Sequence, residues 1–145
     1  MPTRTTTPAE ALVRELYSLG AARREIARHA LAELGSQGFL ALGIVFEHGP
    51  VSISEIARRL AVDLSVASRQ VAALVDAGYV TRERDERDGR ASVIALTPAG
   101  RKVLRRSHER MVDAFAAVLG DWSDADLDAL TDRLARLNQA FRDAD

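Results

Sequence analysis

The chain contains no cysteine among its 145 residues. That excludes a disulfide framework, a thiolate zinc site and a thiol redox switch. Aromatic residues make up only 5% of the chain, so its core must come mainly from aliphatic side chains. No apolar run approaches the roughly 20 residues that a membrane helix needs, and no membrane partner is expected. The opening residues MPTRTTTP carry no apolar signal segment, so a cytoplasmic location is the expectation. His29, His48 and His108 stand in no metal-ligand spacing. There is no G-x-S-x-G, no phosphate-binding glycine loop and no clear carboxylate pair. No catalytic residue, metal ligand or cofactor is therefore expected, and the chain does not read as an enzyme.

What is present is an uneven distribution of charge. The net charge of −1 is small, but Glu55 to Arg110 holds twelve Arg/Lys against eight Asp/Glu. The remainder is acidic, most clearly at Asp121, Asp124, Asp126, Asp128 and Asp132. A local basic excess in a nearly neutral chain suits a confined nucleic-acid surface rather than indiscriminate binding.

Taken in order, Thr7-Pro8-Ala9-Glu10 is a helix start: a capping threonine, a proline at the first helical position and a glutamate placed for a capping box. Leu12, Leu16, Leu19, Ile26, Ala30 and Leu34 then recur at helical spacing, with Gly35 as the expected stop. Residues 36–48 read as a second helix, apolar on most sides and therefore buried. Ser52-Ile53-Ser54-Glu55 has the form of a second capping box, with Val51 and Ile56 placed as a hydrophobic staple. Asp63 is expected to cap a helix that runs to about Ala77 and turns Ala67, Val71, Leu74 and Val75 inward. Gly78 closes it. Residues 79–84 and 90–96 are β-like runs on either side of the charged loop DERDGR. Thr97-Pro98 opens a helix over 97–119, with Leu104, Met111, Phe115 and Val118 inward and Arg101, Lys102, Arg105 and Arg106 outward. Ser123 with Asp126 opens the last helix. Its Leu127, Leu130, Leu134, Leu137 and Phe141 form the three-four stripe of a helix that packs on a partner helix.

Helix, tight turn, helix and hairpin over residues 51–96 are the order of a winged helix-turn-helix, which lays its second helix in the DNA major groove. The expected fold is mostly α with a small β-hairpin wing. On the outer face of the 63–77 helix, Ser65, Ser68 and Arg69 can reach base edges or phosphates, and Gln70 joins them if it points outward. At the hairpin, Arg82, Arg84, Arg87 and Arg90 can enter a minor groove, where narrowing concentrates negative potential. Asp85 can pair with one of these arginines and fix the shape of the tip.

DERDGR also resembles the D-x-R-x-x-R wing motif of the multiple-antibiotic-resistance regulator (MarR) family. Ser52 to Val80 is similar to that family's helix-turn-helix, and LTPAGR to the start of its long fifth helix. The resemblance covers nearly the whole chain. It implies one domain over residues 1–145: dimerisation helices at 8–34 and 123–142, a winged helix-turn-helix at 36–96 and a connecting helix at 97–119. It implies a homodimer on double-stranded DNA, usually a repressor, often released by a small aromatic or phenolic effector. It assigns Arg87 to the minor groove, with Asp85 orienting it through Arg90. The family's oxidant sensors use a cysteine that this chain lacks. Tyr17, Phe39, Phe46, Met111, Phe115 and Trp122 are the aromatic and soft residues available to an effector pocket, although each reads individually as ordinary core. The rival reading is a winged-helix protein-interaction module without an operator.

Overall fold

Burial of apolar side chains on the second helix, Gly35–His48, organises the N-terminal part of the chain. The computed structural model describes residues 7–85, 88–89 and 91–144. The order is α1 (Pro8–Ala30), α2 (Gly35–His48), α3 (Ile53–Leu60), α4 (Leu64–Asp76), β1 (Val80–Arg84), β2 (Ser92–Leu96), α5 (Pro98–Val118) and α6 (Asp124–Asp143). Two compact units are resolved, Met1–Ala114 and Phe115–Asp145. No single described helix is long and apolar enough to cross a membrane.

Thr7 and Glu10 form the expected capping box of α1. That helix stops at Ala30, earlier than its periodicity suggests, and Gly35 opens α2 rather than ending α1. The intervening turn bends the two helices by 82°. Gly35 has a φ of 66°, which glycine adopts without the Cβ clash that other residues meet. Leu31 and Leu34 at this turn are buried, so the apolar spacing that suggested a longer helix serves the corner instead.

The core of the first unit joins Ala41, Leu42 and Val45 of α2 to Ile56 and Ala57 of α3. Ala67, Val71 and Leu74 of α4, together with Val80, Ile94 and Val103, complete it. Each fully buried Leu, Ile or Val contributes about 1.5–3 kcal/mol relative to exposure. The core is necessary because α3 has only eight residues, and isolated helices shorter than ~12–15 residues are marginal in water. The hairpin is antiparallel, with Val80 opposite Leu96, Arg82 opposite Ile94 and Arg84 opposite Ser92. Val51 adds a bridge to Ile94, with N–H···O distances of 3.1 and 2.7 Å, and so fastens the hairpin to the start of α3.

α5 departs most from the periodic reading. Its buried residues are Gly100, Val103 and Ser107, whereas Val118, expected inward, is 65% exposed. Gly100 is there because nothing larger fits: a Cβ would fall 2.0 Å from the Tyr79 carbonyl oxygen and 2.9 Å from a Leu96 methyl. Thr97 locks the same joint. Its hydroxyl donates to the Gly78 carbonyl at 2.7 Å and accepts from the Gly100 N–H at 3.0 Å. In the second unit, Ser123 and Asp126 form the expected capping box of α6.

Gly100→Ala should therefore lower stability by about 2–3 kcal/mol, since the obstruction is backbone and cannot swing aside. Gly43→Ala, where a Cβ meets nothing within 4 Å, should raise stability by about 0.5–1 kcal/mol. Urea denaturation midpoints check both. An unchanged midpoint for Gly100→Ala would show that α5 does not approach β1 this closely.

Candidate nucleic-acid interface

The turn between α3 and α4 is closed by backbone hydrogen bonds. The Ala61 N–H donates to the Arg58 carbonyl at 3.2 Å and the Val62 N–H to the Ala57 carbonyl at 3.1 Å. This paired closure normally places glycine at the left-handed residue. Here that residue is Ala61, at φ 53° and ψ 45°. Val62 is half-buried against the core and anchors the turn. The same closure ends α4, this time with a glycine: the Gly78 N–H reaches Val75 and the Tyr79 N–H reaches Leu74, both at 2.9 Å.

The backbone of Asp63 takes the N-cap conformation of α4, but its side chain makes no capping hydrogen bond. α4 buries Ala67, Val71 and Leu74. The opposite face carries Ser65, Ser68 and Arg69, spaced three and four apart; Ser65 and Arg69 are exposed and Ser68 is half-buried. Ser65, Ser68 and Arg69, the three contacts expected on this helix, thus share one face near the N-terminus of α4, the end that a helix-turn-helix directs at base edges. Gln70 does not join them. Its amide nitrogen lies 3.1 Å from the position of a Cβ on Gly38, so it packs over α2.

On the hairpin, Arg82 and Arg84 are exposed and Asp85 is half-buried. The Asp85 N–H donates to the Ala91 carbonyl at 3.0 Å, which extends the ladder beyond the end of β1. Arg87 and Arg90 lie outside the described residues.

Two charged clusters do not follow from the motifs. On α3, Glu55 accepts from Arg58 Nε at 2.9 Å, Arg58 Nη2 at 2.7 Å and Arg59 Nε at 2.7 Å. The Ser52 hydroxyl caps the Glu55 N–H at 3.1 Å, so only half of the expected capping box forms; the carboxylate turns to the arginines instead. The three- and four-residue spacing could have shown this pairing. The Arg58 hydrogen bonds, helped by Arg59, hold the Glu55 pKa down to about 2. The second cluster joins Glu33, Tyr79 and Arg106. Its members are 46 and 73 residues apart in sequence, and no local pattern announces it. Arg106 was expected to point outward.

Against this unit, α2 and α5 enclose a pocket of about 590 Å³ lined by Phe39, Gly43, Phe46, Arg101, Leu104, Arg105 and His108. The Arg101 guanidinium sits 6.0 Å from the centre of the Phe46 ring. Of the aromatic and soft residues offered by the sequence, only Phe39 and Phe46 line it. Met111 packs on Ala27, Ala30 and Leu31, while Tyr17 lies on a separate surface of α1 beside Val13. Phe115 and Trp122 belong to the second unit. No group of three or more His, Asp or Glu capable of holding a metal occurs among the described residues.

The MarR family profile matches residues 34–91, from the start of α2 through β1 to the residue before β2. The chain is 32% identical over 130 residues to the Bacillus subtilis HTH-type transcriptional regulator YpoP, covering 90% of this chain and 91% of that one. It is 31% identical over 110 residues to the regulator YxaD of the same organism, covering 76% and 77% respectively. Among solved structures, a MarR family protein from Bacillus stearothermophilus superposes with a TM-score of 0.84 at 22% identity, over 97% of this chain and 99% of that one.

The lowered pKa of Glu55 gives a signed pH dependence. A carboxylate whose folded pKa lies below its ordinary 4.5 stabilises the fold fully above about pH 4.5. That contribution is lost as the pH falls through the folded value. The melting temperature of Glu55→Gln should therefore fall short of the parent's most above pH 4.5, with the gap closing toward pH 2. A gap that stays constant from pH 6 to pH 2 would sink the assignment.

Proposed function

We propose that this chain, which belongs to the MarR family of helix-turn-helix transcriptional regulators, is a ligand-responsive repressor that binds an inverted-repeat operator as a homodimer. The family is one of transcription regulators, not enzymes. The observation that carries the reading is the face of α4 on which Ser65, Ser68 and Arg69 stand together beside an arginine-bearing hairpin. α4 enters the major groove, with Arg69 on a guanine or a phosphate and the serines on neighbouring edges. The wing, with Arg84, Arg87 and Arg90 shaped by Asp85, follows the flanking minor groove.

Homodimerisation is supported by apolar surface that a lone chain leaves open. On α1, Leu12, Val13, Leu19 and Tyr17 are exposed, and Tyr17 is 80% so. α6 buries none of its residues and presents Leu130, Leu134 and Phe141. Two-fold symmetry then sets half-sites about 10 bp apart. The effector is a small aromatic acid. The α2–α5 pocket offers the Phe39, Phe46 and Leu104 side chains for a ring and Arg101, Arg105 and His108 for a negative charge. It can release DNA only by binding one state of the dimer more tightly than the other.

Sequencing of sheared genomic DNA captured by the purified protein at about 150 mM salt, near physiological screening, should show sharp enrichment of an inverted repeat. Absence of any retained duplex would favour the protein-interaction reading. On the recovered site, Arg87→Ala should weaken binding and flatten the slope of log affinity against log salt by about 1, the share of one phosphate contact. An unchanged slope and affinity would remove Arg87 from the interface. Benzoate-type acids should release the duplex, and Arg101→Gln should raise the concentration needed by about tenfold, as expected for a lost charged hydrogen bond. Equal release from both proteins would move the effector elsewhere.

A further inference from the structure

Glu33 sits in the turn between α1 and α2 and is not on the reading face. Its carboxylate accepts a hydrogen bond from the Tyr79 hydroxyl at 3.0 Å and from Arg106 Nη2 at 2.6 and 2.5 Å. Arg110 adds attraction from the next turn of α5. The Glu33 and Arg106 side chains are 33% and 41% exposed, so the pair is only partly screened by water. The Arg106 guanidinium, with Tyr79 beside it, holds the Glu33 carboxyl below the usual carboxylate range; Glu33 is ionised at neutral pH.

The backbone of Tyr79 is committed on both sides. Its N–H closes the end of α4 on Leu74, and its carbonyl accepts from the Thr97 N–H at 3.1 Å. Gly100 presses on the same carbonyl. Whatever holds the Tyr79 ring therefore also holds the C-terminal end of α4, and Glu33 grips that ring and α5 at once. We propose that Glu33 is a positioning residue for DNA reading: through Tyr79 and Arg106 it anchors the end of the reading helix to the α1–α2 turn, so that this turn sets the aim of α4. The proposal rests on the DNA-binding reading above, but its anchor can be measured without DNA.

The test uses the full chain and three variants, Glu33→Ala, Tyr79→Phe and the double substitution, at a temperature where circular dichroism shows all four folded. Without DNA, amide hydrogen exchange at Tyr79 and Thr97 should quicken by about tenfold in Glu33→Ala while Val71 in mid-α4 keeps its rate, the mark of a local opening. With the duplex that the parent recovers from a random-sequence pool, affinity should fall about 5- to 20-fold in each single variant. The salt slope should stay the same, because no phosphate contact is removed. The double variant should be no weaker than Glu33→Ala, since both substitutions cut one link. Uniformly faster exchange along α4, or unchanged exchange at Tyr79, would reduce the cluster to an ordinary stabilising contact and overturn the proposal. Full duplex affinity in the folded variants would do the same. Failure of the parent to recover any duplex would overturn the DNA reading, with the exchange rates still deciding the anchor. Tyr79→Phe removes a single hydroxyl and keeps the test decisive if Glu33→Ala fails to fold.

Discussion

The start of α5 touches the base of β1 so closely that only a hydrogen atom fits between the Gly100 Cα and the Tyr79 carbonyl. That approach ties four segments together within a few residues: the end of α4, the start of β1, the end of β2 and the first turn of α5. Thr97 completes it by bonding to Gly78, Tyr79 and Gly100. The arrangement matters because neither α3 nor the two-stranded hairpin is stable alone. They stand where they do because the α2 core supports them from one side and this joint from the other. A reading helix must hold its side chains in a fixed relation to the groove, and a joint built from backbone contacts has little room to drift.

The charge of the reading unit is managed rather than simply accumulated. Of the arginines on the helix-turn-helix, Arg58 and Arg59 are tied to Glu55. Arg69 stands on the outer face of α4 one turn from Ser65, with Ser68 on the other side of that serine. A chain with a net charge of −1 can therefore present positive charge where a duplex would lie without attracting polyanions everywhere else. Two further arginines, Arg101 and Arg105, border an apolar pocket between α2 and α5, with His108 beside them. Positive charge thus occurs in two settings, a flat polar helix face and a concave apolar pocket. The first suits a nucleic acid and the second a small acid.

Element types and most boundaries were legible in the sequence because they depend on chemistry within one helical turn. Thr7 with Glu10, Ser123 with Asp126, and the glycine after α4 act on backbone groups three or four residues away. Their effect is the same whatever the rest of the chain does. The serine–arginine face of α4 was legible for the same reason, since three- and four-residue spacing places side chains together on any helix. The failures were local rules with a competitor. Glu55 had arginines within reach and turned to them. Asp63 took the cap conformation without the cap bond, and the apolar period of α1 continued into a buried corner.

Tertiary structure alone decided which residues meet across the chain. Gly100 and Ser107 face inward on α5 although neither carries an apolar side chain: the approach of α5 to Tyr79 leaves room for nothing larger at the first, and the fold buries the second completely. Gln70 turned from the reading face to fill the space above Gly38. Glu33, Tyr79 and Arg106 come together from three segments, and the α2–α5 pocket draws its rings from one helix and its charges from another. Periodicity records which face of an element is apolar, but not which other element will cover it. Caps and faces are therefore written in the sequence, whereas the joint, the pocket and the Glu33 cluster exist only once the chain has packed.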